Sequence, residues 1–208
     1  MGGSIESGVQ LAFAIAHEVG NHLGGIRLQA HLLDDELDAR EMAEASVLID
    51  GLAGRSGPLL ALLRPLLSDD WRRTGGTTWS DVLARVVQQI EDEGTRGVRF
   101  RVGGALDAEA PAPDFDWVHS LLIALVESTI EHVADRGSQA EVRLELVEEE
   151  GGVRLDVFDS GAPEDLSVDA ALRGRPLAVA LARELIGRSG GRVDADSTDD
   201  GTRVALHF

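Results

Sequence analysis

The sequence predicts an α+β protein: an N-terminal helical hairpin forming a dimeric four-helix bundle, followed by an α/β sandwich with its helices on one face. Three observations carry this reading. Apolar residues recur at steps of three and four from residue 4 to residue 67, a polar and glycine-containing stretch then interrupts them, and beyond it helices interleave with short strands at hairpin spacing. A chain of 208 residues suffices for one or two domains and buries enough surface to need no covalent staple.

Leu11, Ile15, Val19, His22 or Leu23, Ile26, Ala30 and Leu33 mark one face of a long helix from Ser4 to about Leu37. Asp38-Ala39-Arg40-Glu41 has the shape of a capping box and opens a second helix. Its apolar face runs through Met42, Ala45, Leu52, Leu59 and Leu63 to Leu67, with a bend expected at Gly54 to Pro58. Two amphipathic helices joined by so short a turn pack antiparallel, and a lone hairpin leaves an apolar face open to water, so a homodimer is expected. Ser68 to Thr78, with Asp69-Asp70, Arg72-Arg73 and Gly75-Gly76, reads as the boundary between domains 1–72 and 73–208.

The second domain reads as a helix (about Ser80 to Glu93), a strand (Val98 to Val102) and a helix (about Phe115 to Ala134). Two strands (Ala140 to Val147, Val153 to Phe158), a helix (about Pro176 to Ser189) and a strand pair (Arg192 to Asp196, Thr202 to Phe208) complete it. Glu148-Glu149-Glu150 and Asp199-Asp200 precede glycines and read as hairpin turns.

Composition excludes several chemistries. There is no cysteine and no tyrosine, and all 19 basic residues are arginine. Thiol nucleophiles, cysteine metal sites, lysine Schiff bases and a P-loop lysine are therefore out of reach. A net charge of -18 repels nucleic acid and anionic membrane at long range, so neither is an expected partner. The apolar run Leu11 to Ala16 lacks a preceding basic region, and Pro58 to Leu67 is broken by Arg64 and two prolines, so a cytoplasmic protein with no membrane span is expected. His119, His132 and His207 show no metal-ligand spacing, and no metal site is expected.

His17-Glu18-Val19-Gly20-Asn21 carries the most chemistry. At about 100° per residue, His17 falls on the side of its helix opposite Ile15 and Val19, so its ring projects into solvent. An exposed imidazole is a nucleophile, a neighbouring carboxylate can hold its tautomer, and Asn21 lies one turn along on the same face.

His17-Glu18-x-x-Asn21 on the first helix of a bundle hairpin resembles the phosphoacceptor box of the two-component histidine kinases. The resemblance continues through the second domain, giving the sandwich a histidine-kinase-like character. Asp114 to Ser128 is similar to the family's asparagine box, Asp159-Ser160-Gly161 to its first glycine box, and Gly174-Arg175-Pro176 with Gly190-Gly191 and Gly201-Thr202 to its closing helix and strands. If nucleotide binding were retained, the resemblance makes Asp159 and Gly161 its residues.

The departures fall on nucleotide chemistry. Ser128 stands where the family has its magnesium-ligating asparagine, Ala124 replaces the preceding asparagine, and Glu131 takes the basic position. A serine hydroxyl offers no amide carbonyl to a hard cation. Pro163 and Pro176 replace glycines at both edges of a short lid and remove N–H donors that would face a phosphate. Carboxylates also far outnumber arginines in the second domain, an unfavourable field for a polyphosphate.

The chain is thus most similar to the dimeric histidine phosphotransferases of phosphorelays, the ChpT type, with a degenerate ATPase domain. That resemblance implies phosphoryl transfer through His17 between the aspartates of response-regulator receiver domains, with Glu18 orienting the ring and Asn21 contacting the transferring group. No cofactor of its own is implied, and magnesium comes with the receiver. Two other readings stand beside it: a soluble sensor kinase core that autophosphorylates with ATP, and a noncatalytic scaffold or anti-sigma-like module.

Overall fold

The computed structural model describes residues 2–33, 38–68, 77–104, 112, 117–134, 140–167 and 172–208, with side chains from Ser7 onward. The expected boundary at residues 72 and 73, and Asp114 to Asp116 of the asparagine-box stretch, lie outside the described residues.

Helix α1 (Gly2–Leu32) turns its Leu11, Ile15 and Val19 inward. Helix α2 (Ala39–Ala61) opens on the expected capping box: the Asp38 carboxylate accepts from the Arg40 and Glu41 N–H groups, and Glu41 accepts from the Asp38 N–H. The helix runs straight through the expected bend, with Pro58 buried inside it. It ends at Ala61, four residues before Pro65. The Leu62 N–H turns to Leu59 O at 3.2 Å, and a short α3 (Leu63–Leu67) follows. By length and composition alone Ala39–Leu67 is apolar enough to cross a membrane; here it is divided at Leu62 and packs along α1.

Helix α4 (Trp79–Glu93) begins at a second capping box, Thr78 with Asp81. Strand β1 (Arg99–Gly104), helix α5 (Trp117–Val133), strands β2 (Glu141–Glu149) and β3 (Gly152–Asp159), helix α6 (Gly174–Arg188), and strands β4 (Arg192–Thr198) and β5 (Gly201–His207) complete the fold. The five strands form one sheet in the order β1-β2-β3-β5-β4, with β1 parallel to β2 and every other pairing antiparallel. Every expected strand and helix of the second domain is present, but Glu148 and Glu149 lie in β2 rather than in its turn. Glu149 is held there by Arg154 and by His207 Nδ1 at 3.0 Å.

Helices α5 and α6 cover one face of the sheet, on which Val142, Leu144, Leu146, Leu155, Val157, Val204 and Leu206 are buried. The opposite face is a ladder of charge, including Arg154 and Arg203 on either side of the buried Asp156. The hairpin does not stand apart. Leu11, Ile15 and Val19 of α1, with Leu59, Leu62 and Leu66, belong to the same apolar cluster as Leu121 and Leu185, so one core runs through both parts.

Ile15, fully buried where the hairpin meets the second domain, is expected to lose about 2–5 kcal/mol of stability on truncation to alanine. Circular dichroism and tryptophan fluorescence should report one shifted denaturant midpoint, since the hairpin core and the tryptophan-bearing second domain share this side chain's contacts.

Candidate functional site

His17 projects from α1 into solvent. One turn along, the Asn21 side-chain amide lies 3.3 Å from His17 Nδ1. This leaves the other ring nitrogen, Nε2, as the one presented outward. The Asn21 Nδ2–H donates to His17 Nδ1, which puts the proton of the neutral ring on the outward Nε2.

Glu18 turns away from the ring, because adjacent helical positions point apart. The orienting part expected of it falls to Asn21, and Glu18 Oε1 instead accepts the Gly174 N–H at 3.2 Å. Helix α6 has no side-chain cap of its own at Arg173. The carboxylate of Glu18 therefore sits at an uncapped, positive helix end and ties the hairpin to the second domain. His22 completes the seam: Ser56 donates to Leu52 O at 2.9 Å, so its oxygen accepts from His22 Nδ1–H at 3.0 Å. Burial first, and the Arg55 charge second, hold the His22 imidazolium below its usual range.

Asp159, expected to face a nucleotide, is closed in by protein on both oxygens. Oδ1 accepts the Gly161 N–H at 2.6 Å, and Oδ2 accepts from Arg175 Nη1. The same guanidinium reaches Glu164 at 2.7 Å and Thr202 Oγ1 at 3.3 Å, and the Arg175 side chain is 1% exposed. Two glycines make the room: a Cβ at Gly161 would lie 2.5 Å from Asp159 Oδ1, and one at Gly201 would lie 1.9 Å from the Asp159 carbonyl oxygen. Gly161 thus serves Asp159 by lacking a side chain and by donating its N–H.

Ser128 donates back to Leu125 O at 3.0 Å. It borders a cavity of about 330 Å³ with Glu18, Glu131, His132, Glu164 and Gly174. Three carboxylates face that space, and His132 bonds to the Ala162 carbonyl at 3.0 Å. Arg173 and Arg175 line the same space, with the Arg175 guanidinium already taken by Asp159 and Glu164 and the Gly174 N–H by Glu18.

Sequence reading missed two residues here. Arg175 stands between the glycine and proline of the closing box, where attention falls on the donors those residues keep or lose. Glu127 is a carboxyl in the otherwise apolar run Leu121–Val126, and it is 8% exposed. Burial, then a hydrogen bond and charge repulsion from Glu93, push the Glu127 carboxyl up to about 9. A charged residue inside an apolar run was the available signal.

No protein-family model matches the sequence, and no curated protein matches it. Solved structures do. An Acinetobacter baumannii histidine kinase, AdeS, superposes with a TM-score of 0.63 at 14% identity over 92% of this chain and 96% of its own. A bacterial phosphotransferase gives 0.56 at 16% identity over 97% and 95%. The histidine kinase ThkA, solved in complex with the response regulator TrrA, gives 0.57 at 17% identity over 93% of this chain and 59% of its own. The chain has the fold of a two-component histidine kinase core. In this fold the hairpin presents His17, and Asp159 closes β3.

Removing Arg175 with alanine strands a buried carboxylate and is expected to cost about 3–5 kcal/mol, whereas an apolar pair at 159 and 175 should recover much of that, both read from denaturant midpoints. Glu127 binds a proton in the folded state that the unfolded chain releases, so stability should fall as pH rises from about 4.5 to about 9 and then level off. The limiting slope is about 1.4 kcal/mol per pH unit, and Glu127→Gln should flatten it in the same titration.

Proposed function

We propose that this chain is a histidine phosphotransferase of a two-component phosphorelay, passing a phosphoryl group between receiver-domain aspartates through His17. The observation that carries the reading is Arg175. Its guanidinium fills the space beside Asp159 and takes the carboxylate oxygen that an adenine amino group would need. The phosphoryl group then arrives on a protein partner, while His17 remains open to receive it.

The step balances simply. The Nε2 lone pair attacks the phosphorus of the receiver's aspartyl phosphate in line, an N–P bond forms, the P–O bond breaks, and the aspartate leaves as a carboxylate. Attack through Nε2 uses the ring tautomer with its proton on Nδ1; the Asn21 amide would turn its oxygen to that N–H as the ring gains positive charge, and the proton is then lost to water. The reverse sequence delivers the group to a second receiver. Magnesium belongs to the receiver in this scheme, where it would offset charge on the transferring group.

A homodimer follows from the same reading. Phe13 is 72% exposed and Val47 71%, and among the described residues every large exposed apolar side chain except Leu172 lies on the hairpin. A second hairpin laid on that surface would make a four-helix bundle with one His17 per chain. A cytoplasmic setting, where response regulators act, belongs to the proposal.

Incubation of the purified chain with a ³²P-phosphorylated receiver domain, and separately with γ-labelled ATP and magnesium, tests this. Label should pass from the receiver only, and His17→Gln should abolish it. Asn21→Ala should slow transfer about tenfold while leaving the helix content unchanged, as loss of one orienting bond predicts. Label taken from ATP would sink the proposal in favour of an autokinase, and no label from either source would favour a scaffold.

A further inference from the structure

The hairpin and the second domain cap each other's helices. Helix α6 has no side-chain cap of its own, and its Gly174 N–H goes to Glu18 of α1 at 3.2 Å. At the opposite end of α6, Arg188 Nη1 donates to Pro65 O at 2.9 Å and to Leu66 O at 3.1 Å, carbonyls in the last turn of α3. An anion at a helix start and a cation at a helix end each meet groups that the helix's own ladder leaves open. One turn before Arg188, Ser7 Oγ of α1 donates to Glu184 Oε2 at 3.0 Å.

The seam is held on a second side as well. Arg55 Nε of α2 lies 3.2 Å from Glu131 Oε1 of α5. Between these ties, Leu11, Ile15, Leu62 and Leu66 share one buried apolar cluster with Leu181 and Leu185 of α6. A hinge turns about one axis, through a few residues that absorb the change in backbone angles. Here ties from α1, α2 and α3 reach α5 and α6 together, so rotation about any one of them breaks the other two and wets the apolar strip.

We infer that the hairpin and the second domain are one rigid body, and that phosphoryl transfer through His17 proceeds without movement between them. The second domain is then a fixed wall beside α1. The transfer half of this inference rests on the function proposed above, whereas the rigidity stands on the seam alone.

Residual dipolar couplings of the backbone amides in the full, unmodified chain, measured alone and with a receiver domain, test the rigid body. Amides of α1, β3 and β5 should fit a single alignment tensor in both samples, and separate tensors for hairpin and sheet in either sample would overturn it. A crosslink tests the transfer. Ser7→Cys with Glu184→Cys introduces two thiols into a chain that has none, and a short bismaleimide joins them across the seam. The joined protein should take label from the ³²P-phosphorylated receiver within about threefold of the unjoined protein, since no gating motion lies on the path. A larger fall on joining, with the unjoined protein active, would overturn transfer without movement. If the unmodified chain takes no label, the transfer half falls with the reading of His17, and the couplings still decide the seam. Should the first cysteine pair disturb folding, Arg55→Cys with Glu131→Cys supplies the lock between α2 and α5.

Discussion

The buried ion pair between Asp159 and Arg175 is the constraint around which the second domain is arranged. A carboxylate this deep costs several kcal/mol unless it is paired and hydrogen-bonded, and a lone arginine there would cost as much. Arg175 answers Asp159, Glu164 and Thr202 together, which ties the end of β3, the segment after it and β5 to the first turn of α6. The preceding residue, Gly174, gives its N–H to Glu18 of the hairpin. A single turn of helix thereby links the sheet to the helix that carries His17.

Both oxygens of Asp159 are taken up within the protein. The turn at Asp159-Ser160-Gly161 keeps its geometry because Asp159 still accepts the Gly161 N–H, but the second oxygen serves the fold. Asp159 and Ser160 line a separate cavity of about 480 Å³ together with Arg143 and Arg203.

The element order was largely legible in the sequence because each element is set by local physics. The stripe Leu11-Ile15-Val19, the Asp38 to Glu41 capping box and the strand alternation around Val153 to Val157 are short-range signals that tertiary packing reinforces. The exposure of His17 followed from helical phase alone. What was not legible depends on partners distant in sequence: Arg175 meets Asp159 across 16 positions, and Glu18 meets Gly174 across 156. The bend expected at Gly54 to Pro58 did not locate the break at Leu62, since Pro58 lies inside α2 and Pro65 inside α3.

Among the described residues the sheet has two margins, β1 and β4, and each is a potential template for pairing with another chain. Strand β1 presents Arg99 and Arg101, and β4 presents Arg192, Asp194 and Asp196, alternating with smaller apolar residues. Stacking a second copy along β1 would set Arg99 and Arg101 against their own copies and strip their water, and along β4 it would strip water from Arg192, Asp194 and Asp196. Such margins discourage amyloid-like growth, while the hairpin keeps its uncovered leucines, Phe13 and Val47. Adhesiveness is thus confined to one flank of the molecule, and an assembly built there closes on itself instead of propagating.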